Sequence, residues 1–216
     1  MFTGIIEAVG SVQGLDKRGE DSRLTIDCGD LDVRQGGLGA SIAVSGVCLT
    51  AAAFTRCGFE ADVSAETLRC GTLGEFAVAQ QVNLERALTL DRQLGGHLVS
   101  GHVDAVGRVA ERAVEGRSER FIFDLPEALV RYVAVKGSIA VDGVSLTVNR
   151  VEGRRFSVNL VPHTLAATTL GTLRPGDAVN IEVDVVARYL ERLVLAQGDD
   201  GGVTAPLLSR NGFLAP

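Results

Sequence analysis

The sequence predicts a mainly β protein: two tandem copies of one antiparallel unit, followed by a single C-terminal helix. Three observations carry this reading. Residues Ser41-Ile42-Ala43-Val44-Ser45-Gly46-Val47-Cys48-Leu49-Thr50 recur, with two differences, as Ser138-Ile139-Ala140-Val141-Asp142-Gly143-Val144-Ser145-Leu146-Thr147, a shift of 97 positions. The same shift, without a gap, places Gly4, Ala8 and Gly10 on Gly101, Ala105 and Gly107. It also places Thr67, Leu73, Asn83 and Glu85 on Thr164, Leu170, Asn180 and Glu182. Within each copy, short runs rich in Val, Ile, Leu and Thr alternate with Gly, Asp and Asn, the pattern of an antiparallel barrel or sandwich.

In chain order, the runs 22–28, Ser41–Val44, 48–54, 59–63 and Gln81–Arg86 predict strands in the first copy, and the run 119–125 begins their partners in the second. About six strands per copy is near the usual sheet size. A closed barrel best solves the edge problem in so small a unit. Short helices are expected at 31–35 and 127–133, and at 66–70 and 163–167. The join falls at 90–98, where Asp91-Arg92-Gln93-Leu94-Gly95-Gly96-His97 has loop chemistry. After the second copy the period changes. Val186, Tyr189, Leu190, Leu193 and Val194 recur at helical spacing, with Asp184 available as N-cap and Gly198 as stop. This helix has no counterpart after the first copy, and its apolar stripe needs either the chain's own barrels or the same helix of other subunits to cover it. The expected division is 1–97, 98–184, a helix at 185–197 and a frayed tail at 198–216.

Composition narrows the function classes. Of 216 residues, 46% are apolar and 22% charged, which is ordinary for a globular protein. A net charge of −6 argues against a nucleic-acid partner. No stretch approaches the roughly 20 apolar residues that cross a bilayer, and Met1-Phe2-Thr3-Gly4 lacks the marks of a signal peptide. Cys28, Cys48, Cys57 and Cys70 form no C-x-x-C pair, which points to reduced thiols in a cytoplasmic protein rather than a disulfide framework. The spacing of thiols and imidazoles does not suit zinc, so no metal is expected.

The fragments Met1-Phe2-Thr3-Gly4-Ile5-Ile6, Gly46-Val47-Cys48-Leu49-Thr50, Glu66-Thr67-Leu68-Arg69, Gly95-Gly96-His97-Leu98-Val99-Ser100-Gly101-His102-Val103 and Asp142-Gly143-Val144-Ser145-Leu146-Thr147 together closely resemble the riboflavin synthase family. The match runs in order from residue 1 to about 195. Ser64-Ala65 stands where the family often has Met-Pro, and Ser45 where Asn is common. The resemblance implies two six-stranded antiparallel Greek-key barrels related by internal pseudo-symmetry, a C-terminal helix and a homotrimer assembled through it. It also implies dismutation of two molecules of 6,7-dimethyl-8-ribityllumazine. One passes a four-carbon unit to the other, giving riboflavin and 5-amino-6-ribitylaminouracil. The family uses no metal and no bound redox cofactor, and its active site lies between barrels of neighbouring subunits.

Matching family segments imply the binding residues. In the first copy they are Gly4, Ile5 and Ile6, then Cys48, Leu49 and Thr50, then Asp62, Val63, Ser64, Ala65, Glu66 and Thr67. In the second they are Gly101, His102 and Val103, then Lys136, then Ser145, Leu146 and Thr147, then Asn159, Leu160, Val161, Pro162, His163 and Thr164. Asp62, Glu66, Asn159, His163 and the threonines have the chemistry to bond ribityl hydroxyls.

Mismatches between copies mark where labour divides. Under the 97-residue shift His102 meets Ile5, and Cys48 meets Ser145. The catalytic candidates follow. His102, with Ser145 and Thr147 beside it, takes a proton from the C7 methyl of the donor, since histidine titrates near neutrality. Cys48, helped by Ser41, assists addition at C7 of the acceptor. Cys28, Cys57 and Cys70 are read as packing, and His97 as a turn residue outside the catalytic set. Two rival functions remain. A non-catalytic, antenna-type lumazine- or flavin-binding protein is expected to lose reactive residues that this chain keeps. A flavin-binding barrel of an oxidoreductase needs a nucleotide-binding domain downstream, and only about 20 residues follow the helix.

Overall fold

The computed structural model describes residues 1–196 and 205–210. The chain forms two units, Met1–Asp184 and Val185–Pro216. In the first unit, the first copy consists of β1 (Ala8–Arg18), β2 (Asp21–Asp27), β3 (Ser41–Val44), β4 (Val47–Thr50), β5 (Ala53–Phe54), β6 (Gly58–Val63), helix α1 (Ala65–Cys70) and β7 (Gln81–Arg86). The second copy repeats this as β8 (Ala105–Glu115), β9 (Ser118–Asp124), β10 (Ser138–Val141), β11 (Val144–Thr147), β12 (Arg150–Glu152), β13 (Arg155–Leu160), α2 (Pro162–Ala167) and β14 (Ala178–Val183). The antiparallel sheets have identical order, β4-β3-β7-β1-β2-β6-β5 and β11-β10-β14-β8-β9-β13-β12.

Each sheet thus has seven ladder segments where six strands were expected, and the extra one has a simple origin. The run 48–54 bends between β4 and β5, which are the two edges of one sheet. Ala51 N donates to Ala40 O at 2.9 Å on one side of the bend, and Ala52 N to Glu60 O at 2.8 Å on the other. One bent segment therefore joins both edges and curls the sheet into a barrel, which protects those edges. The second copy does the same through Val148 N to Gly137 O (2.9 Å) and Asn149 N to Ser157 O (2.8 Å).

The helix expected at 66–70 lies within α1 and that at 163–167 within α2. The segments expected at 31–35 and 127–133 are 3-10 turns, Val33–Gly36 and Glu127–Tyr132, and two further 3-10 turns, Thr72–Glu75 and Thr169–Thr172, were unforeseen. Helix α3 spans Val185–Ala196, and Gly198, its expected stop, lies outside the described residues. In the stretch read as a frayed tail, Ala205–Arg210 forms a short helix, α4; 198–204 and 211–216 lie outside the described residues. Among the described residues no helix is long and apolar enough to cross a membrane.

Strand alternation places the cores. In β2, Ser22, Leu24 and Ile26 face inward and their neighbours do not. Leu24, Ile26, Phe59, Val82 and Leu84 fill the first barrel, and Phe121, Phe123, Phe156, Val158 and Ile181 the second. Each such side chain contributes about 1.5–3 kcal/mol.

A pseudo-twofold axis relates the barrels, and residues 97 apart meet across it. Phe2 N donates to Val99 O at 2.7 Å, and Val99 N to Phe2 O at 3.1 Å. Asn83 Nδ2 donates to Asp142 O (2.9 Å) and Asn180 Nδ2 to Ser45 O (2.8 Å). Their Oδ1 atoms accept from Thr169 N and Thr72 N, each at 2.8 Å. All four partners are buried, where an unmet polar group costs about 1–3 kcal/mol. Shared residues such as Asn83 and Asn180 thus serve the junction between copies.

Candidate active site

The pockets are built by exchange. The sequence grouped Gly4-Ile5-Ile6 with the first copy and Gly101-His102-Val103 with the second. The structure crosses them over. Cys48 N, on β4 of the first barrel, donates to Gly101 O at 2.8 Å, and Ser145 N, on β11 of the second, donates to Gly4 O at 2.8 Å. Val103 packs on the first core and Ile6 on the second. The cause is the Phe2–Val99 bridge: each lead-in segment passes the pseudo-twofold axis before joining its own barrel. Gly4 and Gly101 have φ of +75° and +80°, where only glycine is comfortable. A Cβ at Gly101 would stand 2.6 Å from Cys48 Cβ.

Two buried glutamates hold the crossing turns. Glu85 Oε1 accepts from Thr3 N and Thr3 Oγ1, both at 2.7 Å, and Oε2 from Gly4 N at 2.9 Å. Glu182 Oε1 accepts from Ser100 N (2.6 Å) and Ser100 Oγ (2.7 Å), and Oε2 from Gly101 N (2.9 Å). Burial raises both carboxyl pKa values, against these hydrogen bonds, which favour the charged form. Sequence reasoning missed both. The available signal was an acid shared by the copies within an apolar strand.

The first-barrel pocket, about 200 Å³, is lined by Val47, Cys48, Glu66, Thr67, Cys70, Gly101, His102 and Val103. His102 is exposed at its rim, and its N–H donates to Ser100 Oγ at 3.3 Å. Ser64 caps α1 by accepting from Thr67 N (3.2 Å), while Ala65 N bonds Asp21 Oδ1 (2.9 Å). In α2, Pro162 after Val161 replaces that cap with a proline suited to the first turn. Glu66 engages Arg69 and accepts from Cys70 Sγ at 3.2 Å. Asp62 is held bidentately by Arg23, at 2.7 and 2.6 Å. Those bonds lower its pKa and occupy the carboxylate that the sequence assigned to ribityl hydroxyls.

The equivalent place on the second barrel holds a different pair. His97 Nδ1 lies 2.7 Å from Ser145 Oγ. His97 is nearly buried, and its Nε2 has no hydrogen-bond partner. Desolvation lowers its pKa, partly offset by Asp184, so the ring is neutral at neutral pH. This revises two expectations. Ser145 sits with His97, whereas His102 sits with Cys48, and His97 does more than satisfy turn carbonyls. A five-residue separation could not reveal that the chain crosses between the two imidazoles.

The remaining residues fall into three groups. Leu49, Val63, Leu146 and Leu160 point into the cores, so only their backbones can meet a ligand. Thr50 and Thr147 are exposed, paired across the ladder with Ser41 and Ser138. Ser41 thus shares the outer face with Cys48, yet lines a separate cavity of about 600 Å³ with Arg86 and Arg92. Asn159 and His163 are exposed and Thr164 half-buried; Asn159 Nδ2 donates to Glu115 Oε2 at 3.1 Å. Lys136 is exposed with φ of +68°, where its counterpart Gly39 has +84°. A lysine kept in the left-handed region costs about 1 kcal/mol or more. Of the four free thiols only Cys28 is buried, its pKa pushed up to about 12 by desolvation and then by Asp27. Cys57 and Cys70 are exposed, which corrects the packing role given to them. Among the described residues no three His, Cys, Asp or Glu side chains gather as metal ligands.

The fold and site define a class: a duplicated antiparallel barrel presenting two related sites that differ in their reactive side chains. The lumazine binding domain model matches residues 3–87 and again 100–184. Riboflavin synthase of Photobacterium phosphoreum is 45% identical over 99% of this chain and its own whole length. That of Mycobacterium tuberculosis is 47% identical over 92% of the chain, and that of Bacillus subtilis 38% over 99%, each along its full length. A crystal structure of LumP complexed with riboflavin superposes with a TM-score of 0.79 at 23% identity, covering 85% of this chain and 99% of that one, and so shares the fold. The chain belongs to the riboflavin synthase family.

Proposed function

We propose that this chain catalyses dismutation of two 6,7-dimethyl-8-ribityllumazine molecules to riboflavin and 5-amino-6-ribitylaminouracil. The observation that carries this reading is the pair of pseudo-equivalent, chemically unequal sites, Cys48 with His102 and Ser145 with His97, in a chain similar to riboflavin synthases end to end. One reaction that treats two identical molecules differently needs such a pair. Holding the two in register supplies a large part of the rate.

The first-barrel pocket is too small to enclose a ribityllumazine, so it covers one face of the ligand and leaves the other for a second surface. In this proposal that surface is the second-barrel pocket of a neighbouring subunit in a homotrimer joined through α3, whose stripe Val186, Tyr189, Leu190, Leu193 and Val194 has the spacing for helix association. His102, at the rim, then reaches across to the C7 methyl of the donor held by Ser145, Thr147 and Lys136 and takes its proton. His97 holds the Ser145 hydroxyl in place. Cys48 assists addition at C7 of the acceptor, with Ser41 on the same face. Backbone of the segments 4–6, 48–50, 62–67, 101–103, 145–147 and 159–164 lines the ligands. In this reading the functional units are the copies 1–97 and 98–184 and the helix α3, in a cytoplasmic protein.

The test is incubation of the purified protein with 6,7-dimethyl-8-ribityllumazine alone, which should yield riboflavin and the pyrimidine in equal amounts. Binding without conversion would instead make it a carrier of the antenna type. His102→Gln is expected to slow turnover at least a hundredfold, the scale of general-base catalysis, with little change in ligand affinity; unchanged turnover removes His102 from the mechanism. Lys136→Gly, which copies Gly39, should stabilise the fold by about 1 kcal/mol. It should also weaken lumazine binding roughly tenfold, as loss of one charged contact does. A stability loss would contradict the strain argument.

A further inference from the structure

We infer that Glu85 and Glu182 are positioning residues wired crosswise, each belonging to one barrel and setting the pocket of the other. This deepens the functional reading above and rests on it for the pockets' purpose, while its geometry stands independently. Glu182 lies on β14 of the second barrel. Its carboxylate orders the Ser100-Gly101 turn through three hydrogen bonds. That turn hands its carbonyl to Cys48 N on the first barrel, and Ser100 Oγ also accepts from His102 N. Glu182 is thereby linked to the backbone of both reactive residues, Cys48 and His102, of a pocket outside its own barrel. Glu85, on β7 of the first barrel, does the same to the His97–Ser145 site of the second barrel. It orders Thr3-Gly4, whose carbonyls accept from His97 N (Thr3, 3.1 Å) and Ser145 N (Gly4, 2.8 Å). Thr3 Oγ1 accepts from Ile5 N at 3.2 Å, the twin of the Ser100–His102 bond.

A carboxylate suits this task because both its oxygens accept. Glutamine offers one acceptor and turns an N–H toward the glycine N–H, so the substitution strikes the crossing turn itself. A merely structural glutamate would disturb its own barrel. A crosswise one disturbs the other.

Cys48 reports on the first pocket without any need for turnover. The full-length protein is treated with iodoacetamide, and the rate of alkylation at Cys48 is followed by mass spectrometry, with and without 6,7-dimethyl-8-ribityllumazine. Glu182→Gln should change the Cys48 rate about tenfold, the shift expected when one charge-assisted hydrogen bond is lost, and should raise the lumazine concentration needed for protection. Glu85→Gln should leave the Cys48 rate near wild type while shifting the Ser145 and His97 amide resonances. If Glu182→Gln does not fold, Ser100→Ala removes the hydroxyl link alone and should change the Cys48 rate in the same direction. An unchanged Cys48 rate in Glu182→Gln or Ser100→Ala, or an equal change in Glu85→Gln, overturns the crosswise assignment. Absence of riboflavin formation with the crossed alkylation pattern intact would overturn the function and leave the wiring.

Discussion

Replacing Gly101 by alanine is expected to cost about 3 kcal/mol or more of stability and most of the turnover. Two effects add. The residue has φ of +80°, worth about 1 kcal/mol or more against any residue with a Cβ. The new methyl would also lie 2.6 Å from Cys48 Cβ, 2.8 Å from the Phe2 ring and 3.0 Å from Cys48 N; Phe2 is buried in a cluster with Ala43, Val99 and Ala140, and Cys48 packs against it. Backbone must move, which typically costs 1–3 kcal/mol more. Gly116→Ala is the control, since Gly116 has φ of +63° and nothing within 4 Å of its notional Cβ. Urea unfolding of both variants isolates the contact term. If they lose equal stability, the close approach of the crossing turn to Cys48 carries no energetic weight.

Asp142→Asn should stabilise the protein at alkaline pH and leave it unchanged in acid. Asp142 is buried beside the pseudo-twofold axis, with Oδ1 accepting from Asn180 N at 2.7 Å. Burial pushes its carboxyl up to about 7, against that single backbone hydrogen bond. The folded state holds the proton more tightly than the unfolded chain. The contribution to stability is therefore complete below about pH 4 and is lost as pH rises to about 7. Above that, the buried charge is a constant penalty on the order of 4 kcal/mol. Glu75 and Asp177 line the same cleft of about 420 Å³ and are present in both proteins, so their titration cancels in the comparison. The counterpart residue is the uncharged Ser45, so the fold accepts a neutral side chain there. Thermal unfolding at pH 8 should show Asp142→Asn melting roughly 8–16 °C above the parent, and at pH 4 no difference. A gain of equal size at both pH values would trace the effect to packing.

Much of this was legible in the sequence because the signals are local or periodic. Alternation at β2, β7 and their twins comes from side chains pointing to opposite faces. Duplication showed in Ser41–Val44 and Ser138–Val141, which have the same four residues. The bend between β4 and β5 was not legible, since closing a barrel is a long-range hydrogen-bonding decision made with Ala40 and Glu60. The exposure of Cys57 and Cys70 was equally hidden: Cys57 sits in the bend between β5 and β6 and Cys70 ends α1, and whether such a position packs inward is a tertiary decision.

By itself the sequence determined the class of fold, the two-copy plan, the family and the residue types at which the copies differ. Tertiary structure alone decided which of those residues meet. The crossing of the lead-in segments at the Phe2–Val99 bridge assigns His102 to Cys48 and His97 to Ser145. It does so through single backbone hydrogen bonds between residues about 50 to 140 positions apart, contacts that no local propensity or spacing encodes. The shift of 97 pairs residues that occupy equivalent places, and the packing of the barrels pairs those that share a pocket.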